Sequence, residues 1–164
     1  MNIAEWLAAT ARARPEAPAL LTGFNLDADY ATFARRAAAI GAALSREHGI
    51  AAGDRVALFA GNCTQYLECL YGIWWIGAVA IPINAKLHGR EAAWICSNGG
   101  ASVAFVSGDT IGALVEARDD LPAGIKMLPI DGGEYLAMRD GEGPPLPLER
   151  EDDDLAWLFY TSGT

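Results

Sequence analysis

With 164 residues, 52% hydrophobic and 20% charged, the chain carries enough apolar material for one domain with its own core, which excludes the disordered and fibrous classes. A formal net charge of -9 supplies no cluster of Lys and Arg to grip a phosphate backbone, so composition argues against a nucleic-acid partner and for small-molecule chemistry.

Helical and strand patterns alternate along the chain. Ile3, Trp6, Leu7 and Thr10 recur at helical spacing, and Pro15 with Pro18 closes that helix before the apolar run Ala19–Leu21. A loop is expected from Gly23 to Asp29. Phe33, Ala37, Ile40 and Leu44 then form an apolar stripe, with Arg35, Arg36 and Arg46 off it, on a helix that ends near His48 and Gly49. Arg55–Ala60 is apolar without polar alternation, as strands buried on both faces are. Helices are predicted at Thr64–Ile76, Gly89–Ser97, Thr110–Arg118 and Glu134–Met138, and strands at Val79–Ile83, Ser102–Val106, Ile125–Ile130 and Leu155–Phe159. The alternation predicts a layered α/β fold, a largely parallel sheet flanked by helices. Residues 140–154 are read as a surface connector because glycines at 141 and 143 and prolines at 144, 145 and 147 break the pattern.

The odd set Cys63, Cys69 and Cys96 has no zinc-site spacing and is expected to be reduced and buried. His48 and His88, each beside a glycine, read as helix-end or loop residues. The acidic run Glu151–Asp154 reads as a solvated face, and no metal ligand is assigned. Cys69–Ile83 runs for 15 residues without a charge, short of the roughly 20 apolar residues of a membrane-spanning helix. The N-terminal residues lack the pattern of a secretory signal, so a cytoplasmic location is expected. Trp74, Trp75, Phe59 and Tyr71 are expected in the core, Gly77 and Pro82 at a turn and a strand end, and Asn84 as a cap of its own loop.

Thr161-Ser162-Gly163-Thr164 follows a strand-like run late in this alternation. Hydroxyls and a glycine directly after a strand suit a loop whose backbone N–H groups close around a polyphosphate. Taken alone the string also suits a plain turn. It matches neither the Walker pattern nor the dinucleotide fingerprint.

Leu155–Thr164 resembles the first half of the signature loop of the adenylate-forming superfamily, which includes acyl-CoA synthetases, peptide-synthetase adenylation domains and luciferases. Gly53-Asp54-Arg55-Val56-Ala57-Leu58 is similar to that family's strand opening, and Tyr30 with the helix after it to its early tyrosine-led helix. Gly72–Asn84 is similar to its helix, glycine-alanine turn and strand ending in proline and asparagine. Asn84, continued as Ala85-Lys86-Leu87, resembles the CoA-ligase branch.

The resemblance implies an N-terminal part of the large domain of an adenylate-forming enzyme, spanning residues 1–164 and ending inside the phosphate-binding loop. It implies a parent acyl-CoA synthetase of fatty acid metabolism, acting on a carboxylic acid with ATP, Mg2+ and CoA. Thr161, Ser162, Gly163 and Thr164 would grip phosphate. No catalytic residue is assigned to the chain, which is expected to be inactive by itself. The alternative reading is a stand-alone α/β binding or interaction module, and nothing in the sequence fixes an oligomeric state.

Overall fold

The computed structural model describes residues 1–161. Helix α1 (Ala4–Ala13) leads into strands β1 (Pro18–Thr22) and β2 (Asn25–Asp29), then helix α2 (Tyr30–His48). β3 (Arg55–Phe59), α3 (Thr64–Trp75), β4 (Val79–Ile83), α4 (Gly89–Asn98) and β5 (Ala101–Val106) follow in strict alternation. The series ends with α5 (Ile111–Glu116), β6 (Lys126–Pro129) and α6 (Gly133–Asp140). Strands β3 to β6 form a parallel sheet in the order β4-β3-β5-β6, which bears out the expected α/β architecture.

Alternate residues of each strand serve opposite faces, as the two-residue period of a strand demands. Val56 and Leu58 of β3 join the apolar cluster under α1, α2, α3 and α6, with Leu7, Ile40, Leu44 and Trp75. Ala57 and Phe59 join the other cluster, under α4 and α5, with Ala93, Cys96 and Leu114. These four β3 residues are fully buried, so an unbroken apolar run is what this position requires. Asp29 caps α2 by accepting from the Thr32 N–H at 2.8 Å, and Gly49 closes it in the left-handed region.

Four expectations are corrected. The predicted loop through Asp29 contains β2, paired antiparallel with β1. Asn25–Asp29 has no β-branched residue and buries only Ala28, so its strand state is set by pairing with β1 rather than by propensity. Trp6 is 60% exposed, because the inner face of α1 runs through Ala4, Leu7 and Ala8. Leu155–Phe159 is not a full strand: it meets β4 through a single parallel bridge, Trp157 to Ala80. Cys63 is exposed at the N-terminal cap of α3, whereas Cys69 and Cys96 are buried and all three are free thiols.

No helix among the described residues is long and apolar enough to cross a membrane. Residues 141–154 contain no helix or strand, and the segment is strapped to the core by hydrogen bonds from Trp75 Nε1 to the Pro144 carbonyl at 3.0 Å and from the Leu148 N–H to the Trp75 carbonyl at 2.8 Å.

Candidate functional site

In a parallel sheet every strand ends at the same edge, and in open α/β folds ligands bind in crevices beyond the carboxyl ends. Here that edge is formed by the turns after Phe59, Ile83 and Val106. Residues 156–158 run parallel to β4, held by hydrogen bonds from Ala80 N–H to the Ala156 carbonyl at 3.0 Å and from Leu158 N–H to the Ala80 carbonyl at 2.8 Å. Tyr160 and Thr161 therefore arrive at the same edge. Of the four expected phosphate-gripping residues, Thr161 is exposed there, and Ser162, Gly163 and Thr164 lie outside the described residues.

Two cavities flank Tyr160. One, of about 560 Å³, is walled by Gly61, Asn62, Tyr66, Lys86, Asp109 and Phe159. The other, of about 590 Å³, is walled by Leu87, Arg90, Trp94, Ile95 and Thr161. Both share Pro82, Ile83, Asn84 and Tyr160, so the β4 turn and the incoming segment divide one crevice into two. Each volume falls in the range of small-molecule sites. A third cavity, of about 420 Å³, is lined mainly by alanines of α1 and α2 and by residues 143–146, and it includes none of the strand-end turns.

The rim is fixed from below. Buried Thr110 donates its hydroxyl to the Phe59 carbonyl, and the Gly61 N–H donates to Ser107 Oγ at 3.1 Å, which ties the ends of β3 and β5 together. Asn84 Oδ1 accepts from the Lys86 N–H at 3.0 Å, so Asn84 caps its own loop as expected and orders the backbone that carries Lys86. His88 starts α4 with a capping box: its Nδ1 accepts from the Arg90 N–H at 3.4 Å and Glu91 Oε2 accepts the His88 N–H at 3.1 Å.

Lys86 and Arg90 bring cations to the two cavities, and Asp109 and Glu91 bring acids. Burial pushes the Tyr66 phenol up, so this wall residue stays neutral. Burial likewise raises the Cys63 thiol, against hydrogen bonds from the Tyr66 and Gln65 N–H groups that lower it. Among the described residues no group of three His, Cys, Asp or Glu side chains could hold a metal ion, and the acidic run Glu151–Asp154 is exposed.

Sequence patterning missed most of this wall. Asn62, Asp109 and Trp94 sit on turns or exposed helix surface without periodic signal. Their only common mark is a place directly after, or two turns into the helix following, a buried strand.

A parallel sheet with a crevice at its carboxyl edge, walled in part by Lys86 and Arg90, places the chain among the open α/β domains that take ligands beyond the ends of their strands. The family of AMP-binding enzymes matches residues 7–164, and the chain belongs to it. The crotonobetaine/carnitine–CoA ligase of Salmonella heidelberg (strain SL476) is 34% identical over 128 residues, covering 71% of this chain and 25% of the ligase. The N-terminal domain of FACL13 from Mycobacterium tuberculosis superposes with a TM-score of 0.87 at 28% identity, over 99% of this chain and 42% of that one. A fatty acyl CoA synthetase of the same organism gives 0.84 at 28% identity, over 98% and 32% of the two chains. The chain spans about a quarter of the length of the curated relatives it matches.

Proposed function

We propose that residues 1–164 form the N-terminal portion of the AMP-binding domain of an ATP-dependent acyl-CoA synthetase, ending inside the phosphate-binding loop, with residues 140–154 as a connector. The observation that carries this reading is the arrival of the incoming segment at the carboxyl edge of the parallel sheet, with Tyr160 between two ligand-sized cavities and Thr161 on the wall of the second. Membership of the family and likeness to CoA ligases support it.

In the proposed reaction a carboxylate oxygen attacks the α-phosphorus of ATP, an O–P bond forms, and the bond to the β-phosphate breaks to release pyrophosphate. The CoA thiol then attacks the acyl carbon, a C–S bond forms, AMP leaves with the C–O electron pair, and the thiol proton passes to solvent. Charge builds on the departing pyrophosphate, so fixed donors at that position lower the barrier. Thr161, Ser162, Gly163 and Thr164 are assigned that role, the hydroxyls and backbone N–H groups donating to phosphate oxygens. Magnesium would neutralise phosphate charge in such a reaction, but the described residues assemble no cluster to hold it, and no ligand in this chain is assigned to it. The catalytic groups are assigned to the remainder of the protein. The 164-residue chain alone is accordingly expected to be inactive, and the location is proposed to be cytoplasmic.

The test is pyrophosphate and acyl-CoA formation by the full-length protein with ATP, CoA and a panel of aliphatic and aromatic acids. Thr161→Ala should cost about 1 to 3 kcal/mol of transition-state stabilisation, the scale of a hydrogen bond to a charged group. Absence of pyrophosphate release with every acid would discard the proposal. It would leave the second reading, an interaction module, which the outward row Leu155, Trp157 and Phe159 favours.

A further inference from the structure

The C-terminal half of α4 forms a seat for one aromatic ring. Tyr160, immediately before Thr161, donates its hydroxyl to Asn98 Oδ1 at 2.8 Å. Its ring meets Trp94 edge to face, with centroids 5.7 Å apart and planes at 85°. Trp94 and Asn98 lie one turn apart on the outer side of α4, the spacing that places two side chains side by side. Gly99 completes the seat: a Cβ there would lie 3.4 Å from the Tyr160 hydroxyl and 2.5 Å from Ile81 Cδ1, so a larger residue would crowd the ring from below.

The helix that carries this seat is firmly held. Ala92, Ala93, Ile95 and Cys96 on its inner side are all buried against the sheet, and the His88 capping box fixes its start. The backbone of the incoming segment is held less far along. Among the described residues its last main-chain hydrogen bond to the sheet is Leu158 N–H to Ala80 O, at 2.8 Å. Past that point, among the described residues, the Tyr160 side chain ties the segment to α4.

We propose that Asn98 and Trp94 are positioning residues of the adenylation site: through Tyr160 they set the point and direction at which Thr161 leaves the sheet. This rests on the reading of residues 161–164 as the phosphate grip. Donors aimed at developing charge act only when their geometry is fixed beforehand, and small misplacements are costly. A bond between Tyr160 and Asn98, residues distant in sequence, converts the rigidity of α4 into that geometry.

The experiment compares Tyr160→Phe, Asn98→Ala, Asn98→Asp and the double variant Tyr160→Phe/Asn98→Ala in the full-length protein. Two readouts are used: ATP–pyrophosphate exchange at saturating carboxylic acid, and native-state chymotryptic cleavage after Phe159 and Tyr160. Each of the two disrupting single variants should lower kcat for exchange about three- to tenfold, the span of one neutral hydrogen bond, and raise the cleavage rate by a similar factor. KM for the acid should stay within about twofold, because the seat acts on the phosphate side of the reaction. The double variant should be no worse than either single, and Asn98→Asp, which keeps an acceptor, should recover most of the loss. Asn98 is exposed, so its variants should melt within about 2 °C of the parent. Parent-like exchange and cleavage in both single variants, or losses that multiply in the double, would overturn the proposal. If the parent exchanges with no acid, the proposed function falls, and the cleavage series alone decides the seat.

Discussion

The α2–α3 interface and the outer edge of β4 use the same kinds of residue and end in opposite states. Across the first, Ile40, Leu44, Ile73 and Trp75 are buried, and the helices approach so closely that a Cβ on Gly41 would stand 2.6 Å from the Gly72 carbonyl oxygen. Along the second, Leu155, Trp157 and Phe159 point outward at 60, 42 and 62% exposure. Apolar residue type therefore does not tell which surface the chain closes for itself. Closure comes from a partner element placed against the face, and among the described residues the outward side of the segment that pairs with β4 has none beyond the contact of Trp157 with Trp74. The interface should carry the stability of this chain, and the edge should carry almost none of it.

The strongest way to break the closed side is through Glu68, the one buried acidic or basic side chain among the described residues. Glu68 of α3, 1% exposed, accepts from Arg36 Nη1 of α2 at 2.8 Å and from the Tyr135 hydroxyl of α6, so three helices meet on one carboxylate. Glu68→Ala leaves the guanidinium and the phenol without their partner. It should cost about 3 to 5 kcal/mol in chemical denaturation, towards the lower end because the Arg36 side chain keeps 19% exposure. A cost under about 1 kcal/mol would mean that water replaces the carboxylate and that the three-helix junction is not what closes this face.

Gly41→Ala comes next. Alanine improves helix propensity by up to about 1 kcal/mol, but its methyl group would press on backbone, which cannot rotate away as a side chain can. Net destabilisation of about 1 to 3 kcal/mol is expected from the denaturation midpoint. A stabilised variant would show that the two helices can separate freely.

The other face of the sheet provides a gentler probe through pH. Burial pushes the Cys96 thiol up from 9.0 to about 12. Because the folded value is the higher one, this thiol contributes its full stability below pH 9, where both states hold the proton. Above that the unfolded chain ionises first, and stability falls until the folded thiol ionises near pH 12. The slope is at most about 1.4 kcal/mol per pH unit for one proton. Cys96→Ala should flatten the decline between about pH 9 and 11 relative to the parent, read from denaturation midpoints at each pH. Equal slopes would mean that the thiol reaches water in the native state.

How far the sequence reaches depends on whether a residue's state is local. β4 was legible to its bounds and β3 to within one residue, since Val79–Ile83 and Val56–Phe59 are unbroken apolar runs that suit a strand buried on both faces. The end of α2 was legible because Gly49 follows the last apolar turn. β2 was not, since Asn25–Asp29 becomes a strand only by pairing with β1. Cys63 looked like a core residue by type, and its exposure follows from its place at a helix cap. At the site, the string proposed to grip phosphate could be read in its order along the chain. Its support could not: Asn98 and Trp94 meet Tyr160 only after α4 has folded onto the sheet, and no local pattern records that meeting.

The smallest expected effect tests the open side. Phe159→Ser removes a large ring that is 62% exposed and, among the described residues, stacks on Trp157 alone, with centroids 5.0 Å apart. Trp157 keeps its own contact with Trp74 at 5.1 Å, and Trp74 keeps its hydrogen bond to the Ala156 carbonyl at 2.8 Å, so the segment stays attached without Phe159. The denaturation midpoint of the 164-residue chain should therefore move by no more than about 0.5 kcal/mol, as surface changes away from special features do. Light scattering should fall at the same time, since the outward row would lose its end and an unpaired apolar edge is what drives association. A loss above about 1 kcal/mol would show that this edge is closed within the chain, and the contrast with the α2–α3 interface would then fail. A neutral midpoint with reduced self-association would place the chain's stability on the covered faces and leave the edge free to meet whatever packs against it.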